Sequence, residues 1–229
     1  MAIKKRPVSP RQKMINLMYV VLMAMLALNV STEVLDGFSI VEDSLNRTTA
    51  NSSAENNAIY SDFADQMKQN PTKVREWFEK AKQVKDMSDA LYNFAQELKV
   101  AIVKEADGKD GDVSNIKNKE NLEAAGIVML APGTGKGKKL YRELNRYRDR
   151  ILELVTDEHQ KKIIASNFST QVPKGEKYLG KNWQEYMFEN MPVAAAVTIL
   201  SKIQSDVRYA EGEVLHNLVA NIDIKHIRF

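Results

Sequence analysis

Cysteine is missing from all 229 residues, which excludes disulfide frameworks, thiolate zinc sites and cysteine nucleophiles together. Histidine is nearly missing. His159, His216 and His226 stand far apart, and no two of them have the i, i+4 spacing of a helical zinc site. They are expected to be surface or core histidines, and no metal or other cofactor is predicted. A G-x-S-x-G nucleophile elbow is also lacking, and the carboxylates are spread along helical faces instead of gathered into poised pairs. The pattern predicts a protein that is not an enzyme. An excess of one charge is lacking too: 33 Lys+Arg against 30 Asp+Glu leave a net +3, with the signs interspersed, so no broad basic face exists for a phosphate backbone. Nucleic acid is excluded as a partner on this ground.

The glycine-rich stretch Ala131 to Lys139 invites a nucleotide reading, which its spacing rejects. A phosphate loop needs G-x-x-x-x-G-K-[ST], so that amides and a lysine surround the phosphates while a hydroxyl holds magnesium. Gly137-Lys138 has no glycine five positions earlier, and Lys139 stands where Ser or Thr is required. The stretch reads as a turn.

What the chain does have is one long run without charge. From Met14 to Val30 the only polar side chains are Asn16, Tyr19 and Asn29. At about 1.5 Å per residue this run reaches roughly 25 Å, close to a hydrocarbon core of about 30 Å once snorkelling ends are included. Lys4, Lys5, Arg6, Arg11 and Lys13 precede it, and Glu33, Asp36, Glu42 and Asp43 follow. Basic residues stay on the cytoplasmic side. The expected organisation is a cytoplasmic tail over residues 1–10 and a single transmembrane helix over 11–31, with the remainder in the periplasm of a bacterial inner membrane. A cleaved signal peptide is the competing reading. Against it, no A-x-A triplet closes the run, and helical spacing continues through Ser31 to Val41 as if one helix left the membrane.

Gln12, Asn16 and Tyr19 are spaced i, i+4, i+7 and share a helix face, with Arg11 and Lys13 beside it. One account makes the two cations topology signals that snorkel to headgroups. The sharper account pairs Arg11 with a carboxylate on another transmembrane helix. Gln12, Lys13, Asn16 and Tyr19 would then lie at a protein interface, where Ala24 and Ala27 permit close approach.

Residues 32–222 read as an all-α bundle, with 44% hydrophobic and 28% charged residues over the whole chain. Val34, Leu35, Phe38, Val41 and Leu45 form an apolar stripe, followed by a polar run from Asn46 to Asn57 that predicts a solvated middle for a long helix. Asn70-Pro71 is a reversal. Val74, Trp77, Phe78, Ala81, Val84, Leu91, Phe94, Leu98 and Ile102 mark the main core helix. A long loop with short elements follows over 106–137, then an amphipathic helix through Leu140, Leu144, Tyr147, Ile151 and Leu154 with a solvated arginine face. Pro192 opens the last long helix, in which Leu200, Val207 and Val214 keep a seven-residue interval, the period of a helix or dimer seam. Alternation from Asn221 to Phe229 predicts a strand that starts a β-rich domain at 223–229.

Pro10-Arg-Gln-Lys-Met-Ile-Asn-Leu-Met-Tyr19, with Ala24-Met-Leu-Ala-Leu-Asn-Val-Ser31 and Glu33-Val-Leu35, closely resembles the amino terminus of the GldM/PorM family, inner-membrane motor proteins of Bacteroidetes type IX secretion and gliding. The resemblance is dense over about Pro10 to Phe38. It implies a homodimer whose transmembrane helices sit inside a ring of GldL/PorL-like multi-span subunits, converting proton flow into motion passed to outer periplasmic secretion components. The family's membrane arginine falls on Arg11. The residues themselves add one constraint: Arg11 to Val30 contains no carboxylate, so a proton-carrying acid must come from the partner. The alternative is a helical periplasmic adaptor without motor activity, either anchored or released by signal peptidase.

Overall fold

The computed structural model describes residues 9–28 and 30–227, with side chains at 9–21 and 30–222. The predicted tail before Ser9, the side chains of Ala24 and Ala27, and the last two residues lie outside this set. Among the described residues eight α-helices follow in order: α1 (Pro10–Leu28), α2 (Thr32–Gln69), α3 (Pro71–Asp107), α4 (Ala124–Leu130), α5 (Gly137–Leu154), α6 (Glu158–Asn167), α7 (Trp183–Phe188) and α8 (Val193–Ile227). Among the described residues there is no strand, only an isolated bridge between Asp112 and Asn115. The all-α reading of the fold is correct.

Local chemistry sets the boundaries. Ser9 accepts from the backbone N–H of Gln12 at 3.2 Å and caps α1. Ser31 is extended and accepts from Val34 N–H at 3.2 Å, so α2 starts with its own cap. The expectation of one helix continuing out of the apolar run is therefore corrected, because Val30 and Ser31 are not helical and a side-chain cap starts a new helix. At the other end of α2 the chain reverses as predicted: Asn70 donates to Gln66 O at 2.8 Å, and Pro71 takes the first position of α3, where its missing N–H costs nothing.

α8 packs chiefly on α3 and α2, which also pack on each other, while α4, α5, α6 and α7 close the remaining sides. Ala194, Ala195, Ala196 and Ala210 are buried, as are Val197, Leu200, Val207, Val214, Leu215 and Leu218. α8 is the centre of the bundle, and a helix buried on several faces is apolar on several faces. Leu200, Val207 and Val214 are each 0% exposed. Their seven-residue interval is thus a seam inside one chain, as the helix-seam reading expects.

The predicted strand over 223–229 is also corrected. α8 continues through Ile227, because extending an existing helix adds one hydrogen bond per residue fixed, whereas a lone strand has no ladder to join. The long loop after α3 is pinned at both ends. Asp107 accepts from the N–H groups of Lys117 and Asn118 at 2.8 and 2.9 Å, and Val193 and Ala194 donate to Asn121 O and Lys119 O. In the glycine turn before α5, a Cβ on Gly135 would stand 2.7 Å from Met129 O. Close backbone approach explains that glycine without any nucleotide.

Candidate functional site

Two regions hold the functional candidates. On α1, the first turn carries Arg11, Gln12 and Lys13, all exposed. The Gln12 side chain donates to Asn16 Oδ1 at 3.1 Å, as their spacing on one face requires. No ion pair or hydrogen bond joins the Arg11 side chain to another described residue. Behind this polar turn Met14, Ile15, Leu17, Met18, Tyr19, Val20 and Val21 are all exposed, between 46% and 68%. A contiguous apolar surface of this kind marks an interaction with protein or lipid. Among the described residues no helix is long and apolar enough to cross a membrane.

The second region is a buried polar layer that sequence reasoning missed. Glu211 on α8 is 1% exposed. Its carboxylate accepts from Asn56 Nδ2 at 3.0 Å, Tyr60 OH at 2.7 Å and Arg208 Nη1 at 3.0 Å. Arg208 also donates to Asp89 Oδ1 at 2.9 Å and lies over the Tyr92 ring at 4.2 Å. Lys85 reaches the other Asp89 oxygen at 2.7 Å. One step further in, Ser88 and Tyr147 share a hydrogen bond of 2.8 Å, and Tyr147 OH donates to Val207 O. The layer joins α2, α3, α5 and α8.

Its electrostatics are those of a paired interior. Burial, followed by the Glu211 charge and hydrogen bond, pushes the Tyr60 phenol well above its ordinary value. Burial does the same to Tyr147. For Asp89 burial works upward, but the hydrogen bonds and charges of Lys85 and Arg208 outweigh it and hold the carboxyl below the usual range. For Arg208 burial works downward and is outweighed by Asp89 and Glu211, so the guanidinium stays charged. These groups hold each other in one protonation state and present no poised acid or base.

The polar run Asn46 to Asn57 was the nearest signal, and its expected solvation is corrected in part. Thr49 and Asn56 are buried, the latter because Glu211 and Arg208 O meet its amide. A buried amide with partners is indistinguishable in sequence from an exposed one. Among the described residues no group of His, Asp and Glu could hold a metal. His216 bonds the Gly212 carbonyl, and of the helix arginines Arg148 turns inward to Phe168 O while Arg146 stays in solvent.

A comparison with protein families matches the GldM N-terminal domain over residues 33–221. No curated protein matches the chain with significance. The match begins just after Thr32 and ends within α8, so it covers the bundle described above. The chain belongs to the GldM/PorM family of gliding motility and type IX secretion components, of which this bundle is the first domain.

Proposed function

We propose that the chain is the dimeric motor subunit of an inner-membrane complex driven by the proton-motive force, with the bundle on the periplasmic side passing motion outward. The observation that carries this reading is α1: an exposed Arg11 without an ionic partner among the described residues, followed by exposed apolar side chains from Met14 to Val21. A cation and an apolar surface on one helix are matched by a partner that supplies both a carboxylate and an apolar face. Family membership points to a GldL/PorL-like ring as that partner.

In the proposed cycle Arg11 holds a partner carboxylate ionised, since a nearby opposite charge favours the charged form while the low dielectric opposes it. A proton arriving from outside neutralises the acid and releases the pair. Gln12, Lys13, Asn16 and Tyr19 line the moving contact, and Ala24 and Ala27 let the helices approach. Two such helices facing a ring of different order keep the contacts out of step. Arg11→Ala is expected to abolish secretion and gliding while the complex still assembles. Retained activity at wild-type protein levels would refute the ion-pair role.

A second reading keeps a specific observation on its side. Val30 and Ser31 are not helical and Ser31 caps a new helix, so the bundle starts apart from α1, as it would in an adaptor that is anchored or released by signal peptidase. An intact mass that begins near Met1 excludes release. Copurification with a multi-span membrane protein separates motor from adaptor.

A further inference from the structure

α2 is attached to the bundle in two unlike halves. The hydrophobic core takes Ile59, Tyr60, Phe63 and Met67 from this helix, all in its second half, and the first residue of α2 to be buried is Thr49. Before Thr49 the apolar side chains do not reach the core: Val34, Ile40 and Val41 are exposed, and Phe38 and Leu45 are half-buried. What fastens this first half is polar. Lys119 Nζ donates to Ser39 Oγ at 3.1 Å, and Ser201 Oγ donates to Glu42 Oε1 at 2.6 Å. Lys99 Nζ, whose side chain is 4% exposed, lies 3.5 Å from the same Glu42 oxygen and donates to Gln204 Oε1 at 3.0 Å.

Beneath this half lies a cavity of about 630 Å³ lined by Phe38, Glu42, Asn46, Lys99, Lys119 and Thr198, among others. It is half open to solvent, and the α2 side chains over it are exposed or half-buried, so separating α2 there sacrifices little apolar burial. The fastening itself is weakly favourable. Desolvation of two charges offsets most of their attraction, Glu42 Oε2 is buried with no hydrogen-bond partner, and burial pushes the Lys99 ammonium downward against the pull of Glu42. The next stretch, Thr48-Thr-Ala-Asn-Ser-Ser53, is dominated by residues of low helix propensity. Beyond it, the bonds of Asn56 and Tyr60 to Glu211 fix the second half.

We propose that residues 32–48 of α2 are held by a polar clasp, Glu42 with Lys99 and Ser201 and Ser39 with Lys119, and lift from the bundle about Thr48 to Ser53 while the second half stays packed. The clasp is the place where a pull on the start of α2 is either transmitted to α3 and α8 or released.

The absence of native cysteine makes the test direct. Spin labels are placed on the full chain at Val41→Cys and Asn115→Cys across the cavity, and as a control at Asp62→Cys and Lys82→Cys across the packed half of α2 and α3. Pulsed dipolar spectroscopy is expected to give a broader distribution for the first pair than for the control. Glu42→Ala should move the first pair outward by about 5 Å or more, the rise of one helical turn, and leave the control unchanged. Glu42→Met with Lys99→Met, which replaces the ion pair by apolar packing, should collapse it to one narrow, short distance. If Glu42→Ala fails to fold, Ser39→Ala with Lys119→Ala decides through the same outward shift. A narrow first-pair distribution that ignores all of these changes overturns the clasp, and so does an equal shift in the control pair, which would mean general loosening.

Discussion

Removing the Glu211 carboxylate is the sharpest perturbation of this bundle. In Glu211→Ala, Tyr60 OH loses its acceptor, Asn56 Nδ2 keeps only Arg208 O, and Arg208 keeps only Asp89. Breaking a buried ion pair from one side costs about 3–5 kcal/mol, because the remaining charge stays out of water. An orphaned buried hydroxyl alone costs about 1–3 kcal/mol, but these terms share atoms and do not add. A loss of about 3–5 kcal/mol is therefore expected, which is a large part of the roughly 5–15 kcal/mol that holds a domain folded. At about 2–4 °C per kcal/mol for a domain of this size, the melting midpoint should fall by roughly 10 °C. Glu211→Gln keeps the volume and one acceptor, and should cost about 1.5–3 kcal/mol, the value of hydrogen bonds to a charged group. The assay is denaturant unfolding followed by far-ultraviolet circular dichroism, with a double-mutant cycle against Arg208→Ala. A Glu211→Ala variant within about 0.5 kcal/mol of wild type, the range of an ordinary surface substitution, would refute the network reading. So would a zero coupling energy in the cycle.

The same layer gives a reversal at Gly212, where a Cβ would stand 2.8 Å from Asn56 Oδ1. Alanine normally improves a helix interior by about 1 kcal/mol, but here it must displace a doubly bonded amide, and Gly212→Ala is expected to lower stability by about 1–2 kcal/mol. Added to Asn56→Ala the same change should become stabilising, as thermal unfolding of the pair will show. Asp89 gives a pH dependence. Its folded pKa is depressed by Lys85 and Arg208 against burial, so the unfolded chain binds more protons between that value and about 3.9. The stability it contributes is complete above about pH 4 and is lost as pH falls through the folded pKa. Asp89→Asn should flatten this acid limb in urea midpoints measured from pH 6 down to 3. Leu200→Ala, at a fully buried seam position, should cost about 2–5 kcal/mol and leave the oligomeric mass seen by light scattering unchanged; a lower mass would return the seam to a dimer interface.

Much of the layout was legible because it depends on local signals. Pro71 after Asn70 marks a reversal in any context, and the spacing of Val74, Trp77, Ala81, Val84 and Leu91 buries one face of α3 whatever lies opposite. Leu140, Leu144, Tyr147 and Ile151 did the same for α5. The end of α8 is ambiguous in sequence because Ile222 and Ile224 fit a strand's alternation, while the step of three from Ile224 to Ile227 fits a helix, and only the established helix before them decides between the periods.

The sequence by itself determined the helical class, the order and approximate bounds of most helices, the absence of cysteine and of paired histidine chemistry, and a basic turn followed by apolar residues in α1 without a carboxylate. Those properties follow from composition and near-neighbour spacing, which act over a few residues along the chain. Tertiary structure alone decided that Asn56 and Thr49 face inward and that Glu211 and Arg208 sit in the interior. It also decided that Leu200, Val207 and Val214 are buried inside the same chain and that Glu42 meets Lys99. Each of those contacts joins residues far apart in sequence. A polar side chain carries no local mark of whether its partner will be water or another helix, so its burial is settled only when the helices pack.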